Sequence, residues 1–194
     1  MVKTFKALSL VTFTLSASVH ALTFASGIAI SMSFVWPLHV LTLAVCGAMA
    51  YTANKVFALQ STPKKSMKLS DQLKFGLRIV KSTWPMILLC LASVFYTADN
   101  FGRCMKLMRS GLTTQKDGKY YLESHGVKIR EINKNEYNRF CTNETRAFSG
   151  HWMLFSLISV TFFFFIYPVM QLENGSHPKS KADSAAGSDA AADL

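Results

Sequence analysis

Residues 7–54 read ALSLVTFTLSASVHALTFASGIAISMSFVWPLHVLTLAVCGAMAYTAN, a stretch of 48 residues with no Asp, Glu, Lys or Arg, whose only imidazoles are His20 and His39. As a single helix it would run about 72 Å at 1.5 Å per residue, more than twice the roughly 30 Å of a bilayer hydrocarbon core. It must fold back, which predicts two membrane spans, at about residues 7–28 and 34–54. The expected turn lies at Ser26-Gly27 to Ser33, where small residues gather. Trp36-Pro37 then opens the second span, because Pro is tolerated in a first helical turn and Trp favours the headgroup level.

The whole chain agrees with this reading. Half of its 194 residues are hydrophobic and only 16% are charged, against about a quarter in ordinary soluble domains. The charges fall in blocks between uncharged runs, as when lipid and water each take part of a chain. A third span is expected at residues 82–98, again with Trp-Pro (Trp84-Pro85) at its start, and a fourth at 151–172, which holds Phe162 to Phe165 and Tyr167. The net charge of +10 raises the question of nucleic acid. The basic residues flank apolar spans and no recognition motif accompanies them, so the sequence points to orientation and lipid contact instead. The first segment has a second reading as a signal peptide cleaved after Ala21, but its apolar character continues to Ile30, which favours an uncleaved anchor.

With four spans, both termini and the segment 60–81 share one side, and residues 99–150 lie on the other. Lys and Arg number 11 on the first side and 10 on the second. Density breaks the tie: residues 60–81 hold six bases and one acid, whereas the long loop mixes ten bases with six acids. Lys74, Arg78 and Lys81 stand at i, i+4 and i+7 beside an apolar stripe of Leu73, Leu77, Val80 and Trp84, with Ser70 and Asp71 at the start. That is the pattern of a basic amphipathic helix on an anionic leaflet, with the three bases touching lipid; a solvated helix shares it. This side is therefore read as cytoplasmic, with both termini there.

The loop 99–150 predicts a β-meander followed by a helix. Asp117-Gly118 and His125-Gly126 are turn dipeptides; Tyr120, Tyr121 and Leu122 between them, and Val127, Ile129 and Ile132 after them, have strand-forming side chains. His125 is read as a turn residue. Asn133 caps the following helix with Glu136 three residues on. Tyr137, Phe140, Glu144, Phe148 and Trp152 recur at helical spacing, so the helix is expected to run into the fourth span, with a bend at Ser149-Gly150. Cys46 and Cys90 lie in spans; Cys104 and Cys141 lie in the loop, where a disulfide between them would tie span three to the approach of span four. Residues 173–194 are small and polar and are read as a disordered tail.

His20 and His39 fall in the outer third of the bilayer in this threading, while His151 opens span four and Asp99 closes span three at the same face. Intramembrane ionisable groups usually face a bundle interior and mark function. Two readings follow. In one, neutral histidines hydrogen-bond between helices; in the other, His20, His39 and His151, with Asp99, hold haem or a transition metal. No two of them lie on one helix at i and i+4, so the first reading, with no cofactor, is preferred. No GxSxG, HExxH, P-loop or dinucleotide fingerprint is present, and four spans without an intramembrane acid or lysine offer a transporter little for coupling.

At DGKYYLESHG, IREI and RAFSGHWMLF the chain resembles a group of small bacterial inner-membrane proteins of no known activity, which share its apolar segments and the Gly-His-Trp-Met start of the last span. Phe148, Ser149, Gly150, His151 and Trp152 carry the most distinctive part. The resemblance implies a Gram-negative inner membrane and an outward-facing hairpin. The expectation is an all-α membrane protein of four transmembrane helices with a small extramembrane β-meander and helical extension. Its expected role is structural or interactive, with Tyr120, Tyr121 and the exposed face of residues 134–148 meeting a membrane or periplasmic partner.

Overall fold

A computed structural model describes residues 1–25, 30, 32–60, 69–108 and 111–175. Most of the expected turn at 26–33, residues 61–68 of the basic segment and the tail from 176 lie outside the described residues. The elements are α1 Val2–Leu22, α2 Met32–Gln60, α3 Leu69–Met108, β1 Leu112–Lys116, β2 Lys119–Ser124, β3 Val127–Ile132 and α4 Lys134–Thr161. A π-helical turn, Phe162–Ile166, and α5 Tyr167–Gly175 follow α4 without a break. Four helical stretches are long and apolar enough to cross a membrane: Val2–Leu22, Val35–Val56, Leu73–Met108 and Lys134–Gln171.

The packing inverts the pattern of a water-soluble bundle. On α1 the buried stripe is Ser9, Thr12, Ser16 and His20, while Leu10, Val11, Leu15 and Leu22 face outward. Water would select the reverse, with apolar residues facing the core. In lipid, no hydrophobic force draws helices together, and small hydroxyl-bearing residues are favoured at helix contacts because they let backbones approach. The hydroxyls mostly bond to their own helices: Thr12 to the Leu8 carbonyl at 2.7 Å, Thr42 to that of Leu38 at 2.8 Å and Ser156 to that of Trp152 at 2.6 Å. Among the described residues Ser16 alone keeps a buried side-chain oxygen without a partner.

The fourth long helix is the hub. α4 packs against α1, α2 and α3, and α1 also touches α2. At the end of the bundle away from the sheet Val56, Phe162, Phe163 and Met170 form one apolar cluster; nearer the sheet Val35, Leu38 and Trp152 form another. The π-helical turn helps set the first of these clusters. Its wider turn leaves consecutive Phe162 and Phe163 both buried while Phe164 and Phe165 face out.

Two boundaries differ from those read in the sequence. Residues 69–81 and 82–98, expected as separate elements, belong to the single 40-residue helix α3, which continues ten residues past Ala98 to Met108. Pro85, expected to open a span, lies inside it. Pro removes one intrahelical bond, which ends a marginal helix in water but is tolerated where helices pack in lipid. The α4 backbone runs as helix through Ser149-Gly150. Gly150 serves a close helix crossing: a Cβ there would lie 3.2 Å from Asn100 Nδ2.

The meander matches its expected layout. The sheet order is β1-β2-β3, antiparallel throughout, with a bulge at Leu122/Glu123. Asp117 and Gly118 take positive φ at the first turn, and His125 and Gly126 at the second, as two-residue hairpins require. Asn133 Oδ1 accepts from the Glu136 N–H at 2.9 Å and caps α4.

Candidate functional site

Among the described residues, the end of the bundle nearer the sheet holds the densest set of hydrogen bonds between distant segments. His20, on the last turn of α1, points into the seam between α3 and α4. Its Nδ1 lies 2.8 Å from Ser149 Oγ and its Nε2 lies 2.6 Å from the Tyr96 hydroxyl. The Ser149 hydroxyl also donates to the Arg146 carbonyl at 3.3 Å. Assigned from that network, the Ser149 oxygen accepts from Nδ1–H, and Tyr96 donates to Nε2. Both imidazole nitrogens are thereby occupied.

One turn further out, Arg146 closes the end of α1. Its Nε donates to Thr23 Oγ1 at 3.2 Å, its Nη2 donates to the Thr23 carbonyl, and its guanidinium lies 4.3 Å over the Phe24 ring. The orphan carbonyls at a helix C-terminus need such donors. Asn100 of α3 donates to the Arg146 carbonyl at 3.0 Å, Thr97 donates to that of Gly150 at 3.3 Å, and Thr145 donates to the Ile30 carbonyl at 2.8 Å. α1, α3, α4 and the connection after α1 are thus joined within a few residues of Gly150.

The other proposed ligands lie elsewhere, each with its own partner. His39 Nδ1 accepts from the Trp152 indole N–H at 2.7 Å, which leaves the hydrogen on Nε2, and its ring meets Trp36 edge-on. His151 Nδ1 donates to the Ala147 carbonyl at 2.9 Å, and its ring packs on Phe101. Asp99 pairs with Arg103 at 2.8 Å on the exposed face of α3. Among the described residues no three His, Cys, Asp or Glu side chains come together as a metal site. The side chains of the haem or metal reading each have a partner of their own: His20 and His151 both lie against α3, His39 lies against Trp152 of α4, and Asp99 is on the exposed face of α3. Cys104 and Cys141 are likewise free thiols. Cys104 faces Asn100 on its own helix and Cys141 faces Thr113 of β1.

Outside the bundle the sheet is fastened to the first turns of α4. The Tyr120 and Tyr137 rings lie 4.6 Å apart, and Leu122 and Ile132 are buried beneath. Tyr120, expected to meet a partner, is thus turned inward. Tyr121, its strand neighbour, is half-buried and carries the Lys128 ammonium 3.7 Å from its ring centroid. Arg130 makes a two-pronged pair with Glu136, which holds that carboxyl below its usual range. Lys74, Arg78 and Lys81 are all exposed on α3, as expected for lipid or solvent contact.

Sequence reading singled out the histidines but missed Tyr96, Asn100 and Arg146. An isolated Asn at the end of an apolar run was the available signal at Asn100; nothing local marks Arg146, which looks like any loop base. The arrangement is consistent with a multi-pass membrane bundle: among the described residues four helices are long and apolar enough to span, with hydroxyls inside and apolar side chains outside. No protein-family model, curated protein or solved structure matches the chain.

Proposed function

We propose that this is a non-enzymatic protein of a bacterial inner membrane, with cytoplasmic termini, that holds its small sheet outside the bilayer for contact with a membrane or periplasmic protein. The observation that carries the reading is the sheet's mounting. Its buried side chains bind it to α4, whereas Leu112, Val127 and Ile129 on the two edge strands are 64%, 68% and 53% exposed. An edge strand has unpaired backbone groups that a partner strand can use, and large apolar residues beside it add contact area. The histidines, by contrast, are engaged in joining helices. The density of Lys and Arg in residues 60–81 supports the orientation.

Site-specific photo-crosslinking in intact cells tests it. A photoreactive residue at Ile129 should give a discrete adduct that disappears in Val127→Asp, while the same probe at lipid-facing Leu88 should give none. Absence of an adduct from Leu112, Val127 and Ile129 alike overturns the reading. Labelling of Gln115→Cys, but not Lys179→Cys, by an impermeant maleimide checks the orientation.

A further inference from the structure

The outer ends of α1, α3 and α4 enclose a half-open groove of about 490 Å³, within the size range of small-molecule sites. Its floor is one stripe of α4 that includes Asn138, Arg139, Asn143 and Arg146; Thr23 and Phe24 at the end of α1 form one wall and Leu107 of α3 the other. The lining holds two guanidiniums, several amides and hydroxyls, and no carboxylate.

Arg146 is the anchor. Thr23 and the Phe24 ring fix the plane of its guanidinium and use two of its N–H groups; a guanidinium has five. Among the described residues its charge meets no acid within ion-pair distance: the pairs there are Arg103–Asp99, Lys116–Glu123, Lys119–Glu131 and Arg130–Glu136. A half-buried arginine held rigid without a counter-ion is costly unless an anion arrives to meet it. Pre-organised guanidinium forks match phosphate oxygens bidentately, and neighbouring amides donate to the rest.

Depth narrows the ligand. Thr23 lies one turn beyond His20, whose ring contacts Tyr96; Tyr96 and Trp36 are exposed aromatics of the kind found at headgroup level. Leu22, Phe24, Met105 and Leu107 present exposed apolar surface at the ends of α1 and α3. A phosphate at this level has apolar surface beside it.

We infer that this groove binds a phosphate-bearing anion, held by Arg146 and Arg139 with amide donors from Asn138 and Asn143. The chemistry is shared by an anionic phospholipid headgroup and a soluble phosphate ester. The inference rests on the membrane placement but not on a protein partner, so the crosslinking result and this one can fail separately.

Native mass spectrometry of the full-length protein in neutral detergent tests it, with phosphatidylglycerol, phosphatidylcholine and glycerol phosphate as probes. Phosphatidylglycerol should bind at least about tenfold more tightly than phosphatidylcholine, and Arg139→Gln or Asn138→Asp should each weaken it by about tenfold or more. Arg146→Gln should abolish it. Because Arg146 also holds α1, the first two variants, which leave the Thr23 bonds in place, carry the decision. Arg139-dependent binding of glycerol phosphate without a lipid preference supports the groove and assigns a soluble ester. Equal phosphatidylglycerol binding by the wild type, Arg139→Gln and Asn138→Asp, with no binding of glycerol phosphate, overturns the inference.

Discussion

His20 and Ser149, 129 residues apart in the chain, meet at 2.8 Å between Nδ1 and Oγ, and the other imidazole nitrogen is taken by Tyr96. This contact joins α1 to the central helix at the depth where α3 also crosses it. The imidazole is a joint between three helices, and several consequences can be measured.

Replacing His20 by Ala should destabilise the protein by about 1–2 kcal/mol, because the hydroxyls of buried Ser149 and of Tyr96 lose their partner and hydrogen bonds within membranes are individually modest. Tyr96→Phe should cost less, about 0.5–1 kcal/mol. The double variant should fall short of the sum, since the two share one bond. Denaturant titration in mixed micelles measures all three; additive losses would show that the residues are uncoupled.

The crossing at Gly150 should be sensitive to size. A methyl group would sit 3.2 Å from Asn100 Nδ2 and 3.7 Å from His20 Cε1, so Gly150→Ala requires the amide to give by a few tenths of an ångström. Gly150→Val brings two further carbons against α3 and should cost about 1–3 kcal/mol, as overpacked cores do. Equal stability of Gly150→Val and wild type would mean that the helices do not approach here.

His39 should behave as an acceptor and not as a metal ligand. His39→Ala leaves the indole N–H of buried Trp152 unpartnered and should lower the melting temperature, while Trp152→Phe in that background should recover part of the loss. Elemental analysis should find the same iron, copper and zinc content in His39→Ala as in the wild type. A stoichiometric metal lost with His39 would restore the ligand reading.

Outside the spans read at 151–172, Glu136 should titrate below the usual carboxylate range because of its bond to Arg130. The sign follows: a depressed folded pKa contributes stability that is present above the unfolded value and lost as pH falls through the folded one. Arg130→Gln should move the Glu136 midpoint upward. Nuclear magnetic resonance with the glutamates labelled reads it; an unchanged midpoint would mean that the pair is absent in solution.

The cap at Asn133 can be tested beside it. Asn133→Ala removes the acceptor for the Glu136 N–H and should cost about 1 kcal/mol, read as faster amide exchange over the first turn of α4. Unchanged exchange there would argue against the cap.

Much of the fold is written locally. The uncharged 48-residue run cannot be one span, and Asp117-Gly118 with His125-Gly126 specifies a meander because those positions require positive φ. Asn133 with Glu136 marks where α4 starts, and the helical spacing from Tyr137 to Trp152 carries it into the last span. Each signal depends on residues a few positions apart, so chain order alone reveals it.

The site was not legible in that way. Hydropathy placed His20, His39, His151 and Asp99 at one depth, but depth does not determine the direction in which a side chain leaves its helix. Helix rotation is decided by packing of small residues: the buried stripe Ser9, Thr12, Ser16 and His20 turns toward α4, and Gly150 lets α3 come close. Those rotations give each of the three histidines a different hydrogen-bond partner and make Arg146 the clamp on α1. The sequence determined which segments are long and apolar enough to cross a membrane and where the sheet turns. Only the tertiary structure decided which polar groups face one another, because that depends on the azimuth of each helix about its own axis, which contacts between distant segments set.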